Sequence, residues 1–222
     1  MISGTPEIGP RIQPVPELDE LSAHGVSARR GGQILFSDVH FSISAGQSLL
    51  VRGPNGCGKT TLLRALCGLS ELADGEFRME GARLQDRDET AADHIAYVGH
   101  RDGLKDELTP LENLNVHRGL RGKPSDEAIC LRALVQAGLD GFMDTPVRYL
   151  SQGQRRKTAL SRLLASPCSL WILDEPFTAL DADAVKWVAG WFRKHLDYGG
   201  MLVVTSHQQV ADLHPTKILD LG

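Results

Sequence analysis

The chain has 222 residues, of which 41% are hydrophobic and 23% are charged, a balance typical of a globular protein with a sizeable core. Its 24 Lys and Arg residues against 28 Asp and Glu residues give a formal net charge of −4, which argues against general attraction to nucleic acid or anionic lipid. The apolar runs are shorter than the roughly 18 residues of a membrane span, and "MISGTPEIGPR" lacks the features of a signal peptide.

The N-terminal segment is rich in proline, with prolines at positions 6, 10, 14 and 16 and little apolar periodicity. Proline favours extended over helical backbone, and chain termini are often poorly ordered. We therefore expect residues 1–20 to form a flexible extension and residues 21–222 to form the folded domain.

Beyond this extension the hydrophobic pattern is of the α/β type. Short apolar runs predict strands at 34–36, 41–43, 48–52, 76–79, 95–99, 170–173, 201–205 and 218–221. Several of these runs are continuously apolar, which is typical of strands buried on both faces in a parallel sheet.

Helix signals separate the predicted strands. The predicted helices run from Lys59 to about Gly68, from Pro110 onwards, from Ser125 to about Gly138, from about Ser151 onwards, and across 184–196. For the second helix, Thr109 is the expected N-cap and Glu112 completes a capping box. In the last helix, Trp187 and Trp191 lie one turn apart, and we interpret them as core or contact residues. The region of about 100–155 is helix-rich between strand-rich flanks, which favours a helical insert in an α/β core.

The segment "GPNGCGKTT" follows the predicted strand 48–52 and opens the first helix. It matches the phosphate-loop pattern G-x-x-x-x-G-K-[ST]. Glycines let the backbone N–H groups point inward at phosphate, and the N-terminus of the helix faces the same anion. We expect Lys59 to reach the β- and γ-phosphates of a nucleotide and Thr60 to hold Mg²⁺. The predicted phosphate-binding residues are Gly53, Pro54, Asn55, Gly56, Cys57, Gly58, Lys59, Thr60 and Thr61.

The four cysteines show neither C-x-x-C spacing nor a metal-ligand pattern, so we expect free thiols. Cys57 lies inside the phosphate loop, close to a helix N-terminus and to Lys59, a setting that favours a reactive thiolate. An equally simple interpretation is that Cys57 is a small residue filling a tight loop.

The segment "LWILDEP" brings two carboxylates to the end of a buried strand. Ligands bind at the carboxyl ends of strands in open α/β sheets. Asp174 is therefore expected to share a Mg²⁺ ion with Thr60, and Glu175 is expected to orient or polarise the attacking water.

The segment "LSQGQ" opens the helix predicted at about Ser151. Together with the two preceding motifs it resembles the ATP-binding-cassette (ABC) family, whose signature is LSGGQ, and it differs from that signature at Gln152. The resemblance implies that Ser151 and Gly153 contact the γ-phosphate of ATP held by a second subunit. A hydroxyl donor and a backbone without a side chain suit that contact. The predicted signature residues are Leu150, Ser151, Gln152, Gly153 and Gln154.

A basic run surrounds the signature, with no acidic residue between positions 148 and 162. Its members are Arg148, Arg155, Arg156, Lys157 and Arg162. Two interpretations stay open for Arg155, Arg156 and Lys157: they add positive potential near a head-to-tail subunit interface, or they form a solvated helix face.

The resemblance to the ABC family covers the chain after residue 20. "FTALDAD" is similar to the D-loop, with Asp181 at the matching aspartate, and "VVTSH" places His207 at the switch histidine. At the adenine position the family commonly has an aromatic residue, whereas the matching position here is about Arg30, so we expect loose base selectivity. The resemblance implies a P-loop NTPase fold with a RecA-like core, an antiparallel β subdomain and a helical subdomain at about 100–155.

The family normally carries glutamine after the strand that precedes the helical subdomain, but this chain has His100 in "AYVGHRDG". This substitution, together with "LTPLENL", "LLRALCGL" and "LWILDEPFTALD", resembles one subfamily, the ATP-binding export proteins of cytochrome c biogenesis. Histidine changes charge near neutral pH. We therefore expect hydrolysis or coupling to depend on pH between about 6 and 7.5.

The resemblance implies an ATPase that uses ATP and Mg²⁺, with Glu175, His207 and Lys59 as catalytic residues. It implies a homodimer that closes head to tail around two ATP molecules and drives a membrane partner. The implied partners are an integral membrane permease (CcmB-like) and haem-handling membrane proteins, without nucleic acid. The resemblance also implies that the protein is a peripheral membrane protein on the cytoplasmic face of the inner membrane.

Three other functions share parts of this pattern. Cassette proteins of translation resemble two fused cassettes, whereas this chain has one. Cassette ATPases of chromosome maintenance carry a long coiled coil or zinc insertion, for which residues 53–150 leave no room. The nearest competitor is therefore the ATPase of another small-molecule or lipid exporter.

Overall fold

A computed structural model of the chain describes residues 18–84, 93–206 and 215–222. The strands in these ranges are β1 Glu20–Arg30, β2 Gln33–Ser44, β3 Ser48–Arg52, β4 Asp74–Met79, β5 Ala82–Arg83, β6 Ile95–Val98, β7 Leu170–Asp174, β8 Met201–Thr205 and β9 Lys217–Asp220. The α-helices are α1 Lys59–Leu66, α2 Pro110–Leu120, α3 Glu127–Gln136, α4 Gln152–Ala165 and α5 Ala182–Asp197. No helix among the described residues has the length and apolar character needed to cross a membrane.

The strands form two sheets that differ in the relative direction of their strands. One is antiparallel in the order β2-β1-β4-β5, and the other is parallel in the order β6-β7-β8-β3-β9. All strands of the second sheet run the same way, so the loops after β3, β6, β7 and β8 leave from one edge. This edge is where ligands bind in open α/β sheets.

The parallel sheet is buried on both faces and separates two hydrophobic cores. Side chains alternate between the faces of a strand. In β7, Trp171 and Leu173 pack into the core shared with the helices of the insert, whereas Leu170 and Ile172 face the core shared with α1 and the antiparallel sheet. β7 and β8 are buried at every position, as their continuous apolar runs predict.

Local signals start the helices of the insert between β6 and β7. The capping box predicted for α2 is confirmed, since the Glu112 amide donates to Thr109 Oγ1 at 3.2 Å and the Thr109 amide donates to Glu112 Oε2 at 2.8 Å. The predicted start of α3 at Ser125 is two residues too early, since the helix begins at Glu127. Asp126 is the N-cap and accepts from the Ile129 amide at 3.0 Å, while the Ser125 hydroxyl donates to an asparagine side chain of α2.

The antiparallel sheet departs most from the sequence-based expectation. The two strands predicted at 34–36 and 41–43 are parts of one strand, β2, whose apolar pattern is interrupted where Asp38 adopts a φ of +53°. β1 and β5 were not predicted. β1 mixes polar and apolar residues and shifts register twice between Ala23 and Ala28. These shifts interrupt the alternation of buried and exposed residues by which a strand is recognised in a sequence.

The boundary of the predicted N-terminal extension is also corrected. Leu18 is 2% exposed and packs in the core under the antiparallel sheet, and β1 begins at Glu20. Residues 18–20 therefore belong to the folded part because burial of an apolar side chain holds them there. Residues 1–17 lie outside the described residues.

His195 on α5 is a buried titratable group in the core. Its ring stacks on Trp171 with centroids 3.9 Å apart and planes 6° apart, and its Nε2 lies 3.1 Å from the Met201 carbonyl oxygen. Burial lowers the pKa of His195 from 6.5 to about 4. Since the unfolded chain binds this proton more readily, the stability from this shift is fully present above pH 6.5 and is lost as the pH falls towards 4.

We expect the free energy of unfolding to fall by about 2 kcal/mol from His195 alone between pH 7 and pH 5. Denaturant titrations at the two pH values measure this loss. His195→Phe is the matched control, because it keeps a ring on Trp171 and removes the titrating group. Between pH 7 and pH 5 the free energy of unfolding of the variant should fall by about 2 kcal/mol less than that of the wild type. Equal losses in the two proteins would contradict the lowered pKa of His195. His117, whose pKa burial also lowers to about 4, contributes equally to both proteins.

Candidate functional site

A cavity of about 500 Å³ lies at the carboxyl edge of the parallel sheet. The phosphate loop, the end of β7, the loop after β6 and the antiparallel sheet all contribute to its wall. The lining residues are Arg30, Leu35, Asn55, Gly56, Gly58, Lys59, Thr60, Thr61, His100, Asp174, Glu175 and Thr178. Motifs that lie far apart in the sequence therefore meet around one space.

The phosphate loop connects β3 to α1 under tight steric limits. Gly58 caps α1 with a φ of +106°, and a Cβ atom there would lie 2.8 Å from the Phe36 ring. The side chain of Lys59 is 8% exposed, and its Nζ donates to the carbonyl oxygens of Gly53 at 2.7 Å and Pro54 at 3.0 Å. The ammonium group thus lies across the inside of the loop, at the positive end of α1.

Asp174 is a buried carboxylate, 2% exposed, at the end of β7. Its Oδ2 accepts from Thr60 Oγ1 at 2.7 Å, and its Oδ1 accepts from Thr205 Oγ1 at 2.7 Å. The hydroxyl and the carboxylate are hard oxygen ligands at contact distance, and Mg²⁺ prefers such ligands. Thr60 and Asp174 therefore fit the magnesium site that the sequence predicts.

Thr205 is a site residue that the sequence analysis missed. Besides binding Asp174, its Oγ1 accepts from the Glu175 amide at 2.9 Å. Thr205 is fully buried at the end of β8. A polar residue closing the apolar run "MLVVT" was the available signal, but only the pairing of β7 with β8 makes Thr205 face Asp174.

Glu175 lines the cavity directly after β7, half-buried, and its backbone has a φ of +50°. A left-handed conformation is uncommon for a residue other than glycine, and such residues cluster at active sites. The chain therefore turns sharply at the position predicted to act on water.

The basic run divides into residues with different environments. Arg156 is 4% exposed and donates to backbone carbonyl groups at the ends of β6 and β7, so it does not belong to a solvated helix face. Burial in the fold, which local charge patterning does not report, overturns that interpretation for this residue. Arg155 instead binds Asp106 at 2.7 Å, and the Lys157 ammonium lies 5.8 Å from the Trp187 ring centroid.

His100 is exposed and borders two cavities. It lines the 500 Å³ cavity and also a second cavity of about 290 Å³, whose wall includes Gln152, Arg155 and Ala179. His100 and Gln152, two of the positions at which the sequence departs from the family pattern, therefore share one cavity.

The signature residues lie away from the 500 Å³ cavity, and none of them lines it. Ser151 caps α4 in a capping box, since the Gln154 amide donates to Ser151 Oγ at 3.2 Å and the Ser151 amide donates to Gln154 Oε1 at 2.8 Å. Leu150 is buried, whereas Ser151 and Gln152 are exposed. A Cβ atom on Gly153 would lie 2.9 Å from the Ala179 carbonyl oxygen, so the close approach of the two backbones requires glycine.

The remaining predicted site residues do not all lie at the 500 Å³ cavity. Arg30 lines the 500 Å³ cavity and is exposed. Asp181 lies outside both cavities and caps α5, where it accepts from the Ala184 amide at 2.8 Å. His207 lies outside the described residues.

Cys57 packs towards the inside of the phosphate loop. It is half-buried, and a Cβ atom on Gly53 would lie 2.7 Å from its Sγ. The other three cysteines are free thiols, and burial raises the pKa of Cys67 to about 12, of Cys168 to about 11, and of Cys130 above its usual value. These three thiols are therefore poor nucleophiles at neutral pH.

Comparisons with known proteins agree on one kind of molecule. Residues 36–178 match a family described as ABC transporter. The cytochrome c biogenesis ATP-binding export protein CcmA of Methylococcus capsulatus is 50% identical over 187 residues, which cover 84% of this chain and 90% of that protein. CcmA of Escherichia coli K12 is 42% identical over 188 residues, which cover 85% of this chain and 89% of that protein.

Solved structures give the same result for the fold. A structure of the ATP-binding subunit of an ABC transporter superposes on this chain with a TM-score of 0.80 at 27% sequence identity. The superposition covers 92% of this chain and 86% of the chain in that structure. A dimeric ATP-binding cassette in a post-hydrolysis state with ADP and Pi has a TM-score of 0.81 at 24% identity. The superposition covers 90% of this chain and 94% of the chain in that structure. At this sequence identity the likeness supports the fold assignment alone.

Alkylation of Cys57 with N-ethylmaleimide is expected to block nucleotide binding, because the added group cannot fit between the thiol and Gly53. Bound MgATP should protect the thiol by holding the loop closed. Binding of a fluorescent ATP analogue, with mass spectrometry of the modified residue, measures both effects. Cys57→Ala is the control and should bind nucleotide before and after treatment. Protein fully alkylated at Cys57 that hydrolyses ATP normally would contradict the prediction.

Proposed function

The chain belongs to the ATP-binding-cassette transporter family, has the nucleotide-binding fold of that family and is one of its ATPases, and from this premise we propose that it powers a haem-handling transporter. The proposed role is ATP-driven haem export, or release of haem from a chaperone, during cytochrome c biogenesis. The names and the identities of the two CcmA relatives support this role. His100, which is part of the sequence resemblance to the export proteins of cytochrome c biogenesis, agrees with this role.

The observation that carries the proposed chemistry is the contact of Thr60 Oγ1 with Asp174 Oδ2 at 2.7 Å, beside Lys59 in one cavity. Lys59 and the loop amides would bind the β- and γ-phosphates of ATP. Thr60 and Asp174 would hold magnesium, which neutralises phosphate charge when bound. Glu175 would orient the attacking water and accept its proton.

We propose a head-to-tail homodimer, because the signature residues of one chain do not reach its own cavity. Ser151 is exposed at the N-terminus of α4, where amide groups and the helix dipole attract a phosphate. In the dimer, this terminus would face the cavity of the partner copy. Each composite site would then contain Lys59, Thr60, Asp174, Glu175 and His207 from one chain and Ser151 from the other.

Other site residues keep roles taken from the family resemblance. His100 would sense the nucleotide and pass its state to the membrane partner, Asp181 would act in the D-loop, and Arg30 would lie against the base. We also propose one nucleotide-binding domain that extends from residue 18 to 222, with a helical subdomain at about 100–155.

The proposed partners are an integral membrane permease (CcmB-like) and haem-handling membrane proteins, and the proposed place is the cytoplasmic face of the inner membrane. A cytoplasmic helix of the permease would dock between the core and the helical subdomain. The ATPase of another small-molecule or lipid exporter is the alternative, since the residues of the ATP site would be the same.

The Glu175→Gln variant tests the function. It should bind MgATP but hydrolyse it at least 100-fold more slowly, because general-base catalysis is typically worth 10²–10⁴-fold. Tagged variant purified with MgATP from gently solubilised membranes should retain a small permease together with haem-handling proteins, which mass spectrometry identifies. A permease without haem-handling proteins would favour the alternative exporter, and recovery of ribosomes or DNA would contradict the transport function.

The His100→Gln variant tests the role of the histidine. Wild-type ATPase activity should change between about pH 6 and 7.5, as expected from the residue type at this position. The variant should show a flatter pH–rate profile at saturating MgATP. Identical profiles for the two proteins would rule out protonation of His100 as the cause.

A further inference from the structure

The backbone around Glu175 needs a partner that holds its conformation. Glu175 has a φ of +50° without being glycine, and such a conformation persists only where the surrounding structure imposes it. From the side of the sheet, the Glu175 amide donates to Thr205 Oγ1 at 2.9 Å. The backbone carbonyl groups of residues 174–176 require hydrogen-bond donors as well, because buried backbone oxygens are nearly always hydrogen-bonded.

Arg156 supplies these donors to three consecutive residues. Its Nη2 donates to the carbonyl oxygens of Asp174 at 2.9 Å and Glu175 at 2.8 Å, and its Nε donates to the Pro176 carbonyl oxygen at 3.1 Å. The side chain is 4% exposed. The left-handed turn at Glu175 makes these three oxygens converge, and a planar guanidinium with several fixed donors matches that arrangement.

The same guanidinium also reaches the loop that contains His100. Its Nη1 donates to the Gly99 carbonyl oxygen at 2.9 Å and to Asp102 Oδ1 at 3.1 Å. Arg162, six residues later on α4, donates to the carbonyl oxygens of Asp102 at 2.9 Å and Gly103 at 2.7 Å. Residues 99–103 are therefore bound on both sides of His100 by side chains of α4.

Arg156 lies in the first turns of α4, the helix that Ser151 caps. One side chain thus connects the start of this helix with the end of β7 and the end of β6. A shift of α4 relative to the sheet would break hydrogen bonds to Asp174, Glu175 and Pro176 together. It would also release the backbone that directs the Glu175 carboxylate.

We infer that Arg156 is a positioning residue for hydrolysis, which holds Glu175 and the His100 loop in register with the signature helix. This inference rests on the proposed action of Glu175 on water. Arg156 does not touch the cavity that would hold ATP. Its loss should therefore lower kcat while the affinity for nucleotide is kept.

Arg118 on α2 provides a matched control. It is also a buried arginine, 5% exposed, and it also donates to backbone carbonyl groups, those of Pro124 and Ala165. These acceptors lie in the helical insert and outside the residues that line the nucleotide cavity. Arg118→Gln removes a comparable set of hydrogen bonds and a buried charge without touching β7.

The experiment measures kcat and KM for MgATP with the full-length chain as Arg156→Gln, Arg156→Lys and Arg118→Gln. Arg156→Gln should lower kcat at least tenfold and leave KM within twofold. Arg156→Lys, which keeps the charge but lacks the planar fork, should be intermediate. Arg118→Gln should lower the thermal midpoint but keep kcat within twofold, once rates are normalised to folded protein.

Three outcomes would overturn the inference. These are an unchanged kcat in folded Arg156→Gln, an equal loss of kcat in Arg118→Gln, or, should Arg156→Gln fail to fold, a wild-type kcat in Arg156→Lys. Glu175→Gln keeps the two proposals apart. If Glu175→Gln is inactive and Arg156→Gln is fully active, only the positioning role fails, whereas an active Glu175→Gln removes the proposed role of Glu175 itself.

Discussion

The arrangement of the site depends on how the buried carboxylate of Asp174 is satisfied. A charge that is 2% exposed is costly unless hydrogen bonds replace water. Thr60 from α1 and Thr205 from β8 donate to its two oxygens. One side chain thus ties the phosphate loop, β7 and β8 together at the edge where the parallel strands end. This position is also where a metal bound to phosphate needs oxygen ligands.

The helical insert is attached to this edge by arginines rather than by apolar contacts alone. Arg156 and Arg162 donate to backbone oxygens at the ends of β6 and β7 and in the following loops. Hydrogen bonds fix direction and distance more strictly than apolar packing does. Gly153 adds a close backbone contact with Ala179 on the same side. The orientation of α4 and the geometry of the proposed ATP site are therefore parts of one network.

The transport role and the ATP chemistry rest on different features of the molecule. The proposed chemistry depends on groups at the cavity, such as Lys59 and the pair of Thr60 and Asp174. The proposed cargo rests on the similarity to CcmA proteins and on His100. His100 lines both cavities, so this residue lies between the proposed nucleotide site and the start of α4.

The sequence by itself determined the features that depend on neighbouring residues. The phosphate loop, the bounds of β3 and β8, the cap at Thr109 and the start of α4 near Ser151 follow from spacing, apolar runs and local side-chain hydrogen bonds. Asp174 and Glu175 could be predicted because an apolar strand ends at them.

Only the tertiary structure decided the features that depend on distant partners. β1 became a strand through pairing with β2 and β4, and Leu18 was buried by the core beneath them. Thr205 and Arg156 acquired their roles from contacts 31 and 18 positions away along the chain. A hydroxyl or a guanidinium has no fixed function in a local pattern, because its free energy depends on which acceptors the folded chain places around it.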